Sequence, residues 1–311
     1  MMKRHSGLPF DDIRDLIQNL PASNDEMAAH TLNQLPDETG YVADLCVWYS
    51  RWSGRSPEIH RPLLTLFAGT HKVEQNLLEE NVDEWLLKEI TAISEGSAVV
   101  NRLCQSTDMG LKLFDLALQL PVADIRYEAA LDEKACAGTI GFGMEAIAGG
   151  TDALCISAIE QTPSISTLAI LAALTGREVI DDISDAKKND AVETAISTVE
   201  GYESNSLEVL RRLGGRELAA ICGAILAART QHIPSVIDGP SALTACVLLH
   251  RENADSIKHC IMAQPLENPR FNQIADQIGL DMIFKQRVSK APGGGLTMAS
   301  EFLKLAFKHK S

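Results

Sequence analysis

In KAPGGGLTMASEF, residues 290–302, three consecutive glycines, Gly293, Gly294 and Gly295, stand directly before a helical pattern. Glycine reaches backbone angles closed to residues with a Cβ, and a helix start aims free N–H groups at an anion, so the stretch suits a phosphate. It lacks the Gly-Lys-Ser/Thr ending of a P-loop, and a flexible connector stands as the alternative. A second turn, EQTPSIST, puts Glu160, Ser164, Ser166 and Thr167 ahead of the helical STLAILAALTG. Its hydroxyl and N–H groups would hold phosphate, or would simply cap the helix. His71 follows LLTLFAG, and Asp238, Gly239 and Ser241 follow IPSV. DDISDAKKND, residues 181–190, offers carboxylates to a metal but reads as a solvated helix start with Asp in its first turn. No metal and no other cofactor is expected.

Elements must bring these residues together, and the chain is long enough for it: 311 residues hold one large domain or two modest ones. From residue 63, short apolar runs end in Gly or polar residues: LLTLFAG, GLKLFDLAL, DALCISAI, IPSVIDG and, more weakly, LDMIF. Helical patterns separate them, so they read as buried parallel strands of an α/β, Rossmann-like sheet with helices on both faces. GGRELAAICGAILAART carries the clearest helix, with Leu218, Ile221, Cys222, Ile225 and Leu226 as its apolar stripe. LENPRFNQIADQIGL is another, capped by Asn268, with Pro269 in its first turn and Gly279 as its stop. Upstream, Ile13, Leu16, Ile17 and Leu20 fall on one helical face, SNDE suggests a capping box, and Gly54 ends a third segment. The expected division is a sheet domain over 60–285 and a small helical domain from 1–59 and 286–311. In such sheets ligands sit beyond the carboxyl ends of the strands, where the residues above fall.

Charge and cysteines narrow the function. A formal charge of −14 excludes a sequence-independent grip on nucleic acid, although a local basic pocket for a phosphorylated small molecule is compatible with it. The seven cysteines are odd in number, widely spaced and set among apolar neighbours, which reads as buried free thiols in a reducing cytoplasm. MMKRHSGLPFDDIRD has no apolar core of a leader, and no apolar run reaches the length of a membrane span. No membrane partner is expected.

RRLGGRELAAICGAILAARTQHIPSVIDGPSALTACVLL resembles, over its full length, the corresponding stretch of nicotinate-nucleotide:dimethylbenzimidazole phosphoribosyltransferases, the CobT family. LLTLFAGTHKV is similar to the family's strand-end segment, with Thr70 in place of Asp and Lys72 in place of Gly. EGSAVVNRLCQS, MGLKLFDLALQLPVADIRYEAAL and HCIMAQPLENPRFNQIADQIGLDMIF resemble later blocks in the family's order, so the likeness covers about residues 40–305. It implies a homodimer with a parallel-sheet large domain and a small domain of terminal helices. It also implies a reaction in which a benzimidazole nitrogen attacks the anomeric carbon of nicotinate mononucleotide, nicotinate leaves, and a carboxylate takes the nitrogen's proton.

Departures fall on the motifs themselves. AIEQTPSIST stands where the family has a Gly- and Thr-rich turn, so Glu160 matches its acid only across a short gap. LTGREVIDD keeps Thr175 and Gly176 but loses the later glycines. The family's glutamate-bearing glycine loop corresponds to Lys290–Gly295, and its general base is Pro292 here. A transferase then needs Glu160 or Glu128 as replacement acid/base. His71, Ser164, Ser166, Thr167, Gly176, Asp238, Lys290 and Gly293–Gly295 would surround a mononucleotide and an aromatic base such as 5,6-dimethylbenzimidazole. The alternative is a noncatalytic relative that binds a nucleotide or aromatic base, with Lys290 as its cation beside the loop. A structural dimer with an emptied site is a third reading.

Overall fold

The computed structural model describes residues 6–36, 39–77, 82–181 and 183–310; the basic pair Lys3 and Arg4 and the acid Asp182 lie outside them. Helices α1 (Pro9–Gln18), α2 (Asp25–Leu32) and α3 (Tyr41–Ser53) precede β1 (Pro62–Ala68). Then come α4 (Lys72–Leu77), α5 (Val82–Ser94), α6 (Val99–Ser106), β2 (Gly110–Asp115), α7 (Glu133–Gly143) and β3 (Ala153–Ala158). Helices α8 (Ile165–Thr175), α9 (Ala186–Ser197), α10 (Ser206–Leu213) and α11 (Arg216–Thr230) lead to β4 (Ser235–Ile237). The chain closes with α12 (Pro240–Glu252), β5 (Cys260–Met262), α13 (Pro269–Gln277) and α14 (Gly294–Ala306).

All four strand pairings are parallel, in the order β2-β1-β3-β4-β5. The order reverses between β1 and β3, and a crevice opens at the carboxyl ends of strands flanking such a reversal. Alternation along each strand feeds two cores. Leu63, Phe67, Leu154 and Ile156 face one, together with α1, α7, α8 and α10–α12; Leu64, Leu66, Cys155 and Val236 face the other, with α3, α5, α6 and α14. Helices α1, α3 and α14, which fall within the segments 1–59 and 286–311, contribute side chains to these two cores. All seven cysteines are buried and free. No helix among the described residues is long and apolar enough to cross a membrane.

Four of the five expected strands form. LDMIF does not become a strand: Met282 makes an isolated bridge to Met262, and Met262 N donates to Asp281 O at 2.8 Å. The fifth strand is Cys260–Met262, a three-residue run too short to carry a period. The cap of α2 is Asn24, which accepts from Met27 N at 2.8 Å, one residue beyond the start of the expected box. Helix α11 is buried along its length from Glu217 to Arg229, so its apolar stripe is only part of the surface it hides. Two glycines set its crossing with α7: a Cβ at Gly143 would lie 2.0 Å from Ala220 O, and one at Gly223 1.9 Å from Ile140 O. On the outer strand β2, Lys112 reaches across to donate to Ala146 O at 3.0 Å and Ala148 O at 2.5 Å.

Candidate active site

The strand exits surround a cleft of two lobes, about 680 Å³ and about 580 Å³, that share Ala158, Glu160, Gln161, Thr162, Asp185 and Lys188. The larger lobe lies over β4 and β5, walled by Asp238, Gln264, Phe271, Arg287, Lys290 and Pro292. The smaller lies over β1, walled by His71, Glu74, Trp85, Leu86 and Glu217.

Glu160 leaves β3 into the partition between the lobes. Its Oε1 accepts from Ser241 N at 2.9 Å and its Oε2 from Ser241 Oγ at 2.8 Å, both at the start of α12. Burial pushes its carboxyl up to about 7 and outweighs those two bonds. Asp238, at the exit of β4, accepts from Gly239 N at 3.0 Å and Gln264 Nε2 at 2.9 Å; burial still raises it to about 6. Gln264 also donates to Ser289 O at 2.9 Å and accepts from Val288 N at 2.8 Å and Ser289 N at 3.1 Å, so it ties the loop before α14 to the end of β5.

His71 sits at the exit of β1, held by Lys72 N donating to Val122 O at 3.1 Å and Val122 N to Thr70 O at 2.9 Å. Its Nε2 lies 3.0 Å from Oε1 of Glu217 in the first turn of α11. Burial alone would lower the imidazole, but the Glu217 carboxylate, by charge and hydrogen bond, lifts it to about 9. Burial raises Glu217 in turn, yet His71 holds it below the usual carboxylate range. Thr70, which replaces an acid of the resembled motif, is buried and donates to Leu118 O at 2.8 Å.

The EQTPSIST turn is a cap. Ser164 Oγ accepts from Thr167 N at 3.0 Å, and the carboxylate of Glu74 takes the N–H of Ile165 at 3.0 Å. A side-chain anion thus already holds the start of α8. Ser166 and Thr167 are fully buried: Ser166 Oγ donates to Leu213 O, and Thr167 Oγ1 lies 3.3 Å from Ser241 Oγ. Neither lines a lobe, whereas Ser164 does. Gly176 ends α8 at φ 122°, away from the lobe linings, and Glu128 is exposed and lines neither lobe.

The three glycines answer to packing. Gly293 is left-handed at φ 72°, and a Cβ there would meet Leu64 Cδ2 at 2.7 Å. One at Gly294 would meet Ser289 Oγ at 2.2 Å, and one at Gly295 would meet Asp238 Oδ2 and Gln264 Nε2, both at 2.6 Å. Gly294 N donates to Ala291 O at 2.9 Å. The run lets α14 begin hard against the two side chains that shape the larger lobe, and of the three only Gly293 lines it. Lys290 lines that lobe too, but its side chain is 78 % exposed and pairs with Glu267 at 3.8 Å.

Three residues at the site escape sequence reasoning. Glu217 was covered by a helix pattern, and Gln264 carries no motif. Lys188 sat in a segment read as solvated, and the structure half-buries it between the lobes with Nζ donating to Pro163 O at 2.8 Å. Burial lowers its proton affinity. At the start of α9, where Asp was expected in the first turn, Asp185 is instead the N-cap and accepts from Lys187 N at 2.9 Å. No group of residues able to hold a metal forms among the described residues.

A phosphoribosyltransferase family model matches residues 18–310. The nicotinate-nucleotide–dimethylbenzimidazole phosphoribosyltransferase of Brucella anthropi is 37% identical over 317 residues, covering 97% of this chain and 94% of its own. A Sinorhizobium sp. protein of the same name is 36% identical, with 97% and 94% covered. Two solved structures from Thermus thermophilus share the fold: one described by the same enzyme name, at TM-score 0.77, 18% identity and 95% coverage of both chains, and one described as CobT, at 0.75 and 19%.

Proposed function

The chain belongs to the nicotinate-nucleotide–dimethylbenzimidazole phosphoribosyltransferase family, and we propose that it moves phosphoribose from nicotinate mononucleotide to an aromatic nitrogen base, of which 5,6-dimethylbenzimidazole is the type. One observation carries this reading in spite of Pro292: the two lobes meet at Glu160. Asp185 also lines both lobes, but its carboxylate caps α9. Glu160 alone there combines a position between two ligands with a proton affinity near neutrality, the condition of an effective general base.

Charge assigns the lobes. Arg287 and Lys290, both paired with Glu267, line the larger lobe only and Lys188 lines both, which supports the anionic mononucleotide in the larger one beside the partition. Leu77, Trp85 and Leu86 in the smaller one suit a planar acceptor. The acceptor nitrogen attacks the anomeric carbon, the bond to nicotinate breaks, nicotinate leaves, and the proton of the acceptor's ring N–H passes to Glu160. Binding in facing lobes supplies proximity and orientation. The test is nicotinate release from the mononucleotide in the presence of a base; none with any aromatic base, despite mononucleotide binding, would return the noncatalytic reading.

We also infer a homodimer, supported by the exposed apolar side chains of Leu120, Tyr127 and Phe142, and a reducing compartment, supported by seven free cysteines. Sedimentation at micromolar concentration tests the dimer.

A further inference from the structure

Proton transfer to Glu160 leaves another buried acid of the larger lobe without a task. Four acids line that lobe: Glu160, Asp185, Asp238 and Glu267. Asp185 caps α9, and Glu267 stands in the open between Arg287 and Lys290, 76% exposed. Asp238 is 8% exposed, and it lines the larger lobe without lining the smaller, which places it on the donor's side of Glu160. One turn joins the two acids. Gly239, at φ 94°, omits a Cβ that would stand 2.9 Å from Glu160 Oε1, and Ser241 just beyond it holds both oxygens of Glu160. The Asp238 carboxyl is fixed from both sides, by Gly239 N at 3.0 Å and by Gln264 Nε2 at 2.9 Å. Gln264 in turn spends its remaining bonds on Val288 and Ser289, and Gly295 packs where a Cβ would meet Asp238 Oδ2 at 2.6 Å. Although burial raises it to about 6, the group is a carboxylate at pH 7. The reaction has a use for such a charge. A pyridinium nucleoside carries its positive charge on the leaving ring. As the bond from the anomeric carbon to the pyridinium nitrogen breaks, its electron pair returns to nicotinate, and the positive charge moves to the anomeric carbon and ring oxygen of the ribose. The acceptor's lone pair closes the new bond, and its N–H proton passes to Glu160. A fixed carboxylate on the donor's side gains attraction only as that charge arrives, which is the kind of interaction that raises kcat.

We propose that Asp238 stabilises the cation that develops on the ribose ring, so that the cleft divides its acids between the reactants: Asp238 serves the donor and Glu160 the acceptor. This rests on the transferase reading and on the mononucleotide in the larger lobe, but binding tests it separately from turnover. Iminoribitol phosphate, in which a protonated nitrogen replaces the ring oxygen, is a cation of nearly the same shape as the neutral anhydroribitol phosphate. Titrated calorimetrically at pH 7, the imino compound binds roughly ten- to a hundredfold more tightly than the anhydro compound, the range of a hydrogen bond to a charged group. Asp238→Asn, which keeps the shape and removes the charge, brings the two within about threefold while the anhydro compound binds as before. Glu160→Gln retains the preference. A ratio within about twofold in the wild-type protein overturns the proposal, whatever the variant's folding. A preference that survives in folded Asp238→Asn, or that is lost in Glu160→Gln alone, overturns it as well. Nicotinate release is followed in parallel: no release with any base, despite a cation preference that depends on Asp238, refutes the transferase and leaves the seat for a ribosyl cation standing.

Discussion

The two ends of the sheet differ in what lines their hollows. At the amino ends, Asp152 accepts from His60 N at 2.8 Å and from Arg61 N at 2.9 and 3.0 Å, and its neighbours Glu58 and His60 pair at 3.2 Å in the open. The hollow there, lined by Glu58, His60, Asp108 and Lys304, is the larger one at about 950 Å³. At the carboxyl ends the hollows are smaller, yet Glu160 and Asp238 are pushed toward neutrality, and His71 and Glu217 keep unused atoms. Volume does not separate a site from a surface dip. Nor does unspent hydrogen-bonding capacity or displaced proton affinity alone, because behind the amino ends Arg229 Nε and Nη1 are unpartnered and burial lowers His259 to about 3; what sets the carboxyl ends apart is that carboxyls raised by burial line the open cleft.

The sharpest way to break this contrast is at Glu160. Glu160→Gln should lower kcat by about two to four powers of ten with little change in mononucleotide affinity, because a general base acts mainly in the transition state. Single-turnover nicotinate release with calorimetric binding checks both halves. Asp152→Ala is the mirror experiment: two backbone donors lose their buried partner, stability falls by about 2–3 kcal/mol in urea unfolding, and kcat of the folded protein is unchanged.

A pH series separates the same group's two effects. Transferase activity should climb as pH rises through about 7, where Glu160 loses its proton. Its stability contribution runs the other way. The folded-state value lies above the ordinary 4.5, so that contribution is full below about 4.5 and is lost as pH rises through about 7. Glu160→Gln should flatten both curves, and an activity limb near pH 7 that persists in the variant would assign it to another group. The smallest effect is expected at Pro292. Pro292→Glu, at a wall of the larger lobe, adds a second carboxylate and should raise kcat by about tenfold or less over Pro292→Ala, which frees the loop without adding one. Equal turnover in the two would leave Glu160 as the sole base.

Much of this was legible in the sequence. The runs at 63–69 and 153–159 are long and apolar enough to declare β1 and β3, and the exits that follow them name His71 and Glu160. β5 escaped because three residues, Cys260–Met262, carry no period, while LDMIF beside it looked more like a strand and makes only a bridge. Ser164 was ambiguous because a hydroxyl that caps a helix and one that binds phosphate occupy the same sequence position, and the burial of Ser166 and Thr167 against Leu213 O and Ser241 Oγ depends on helices far along the chain. Glu217 was hidden because its partner, His71, lies 146 residues away, and only the sheet brings the two together.

Lys112 on β2 bears on how the molecule behaves in company. An outermost strand presents a row of main-chain groups on which another molecule's strand can build, and GLKLFD has enough apolar content to invite it. A cation in its middle, spent on the carbonyls of Ala146 and Ala148, guards that row at a position where an uncharged residue would leave it sticky. Lys112→Leu is therefore expected to leave turnover unchanged and to lower the concentration at which the protein begins to aggregate, read by light scattering.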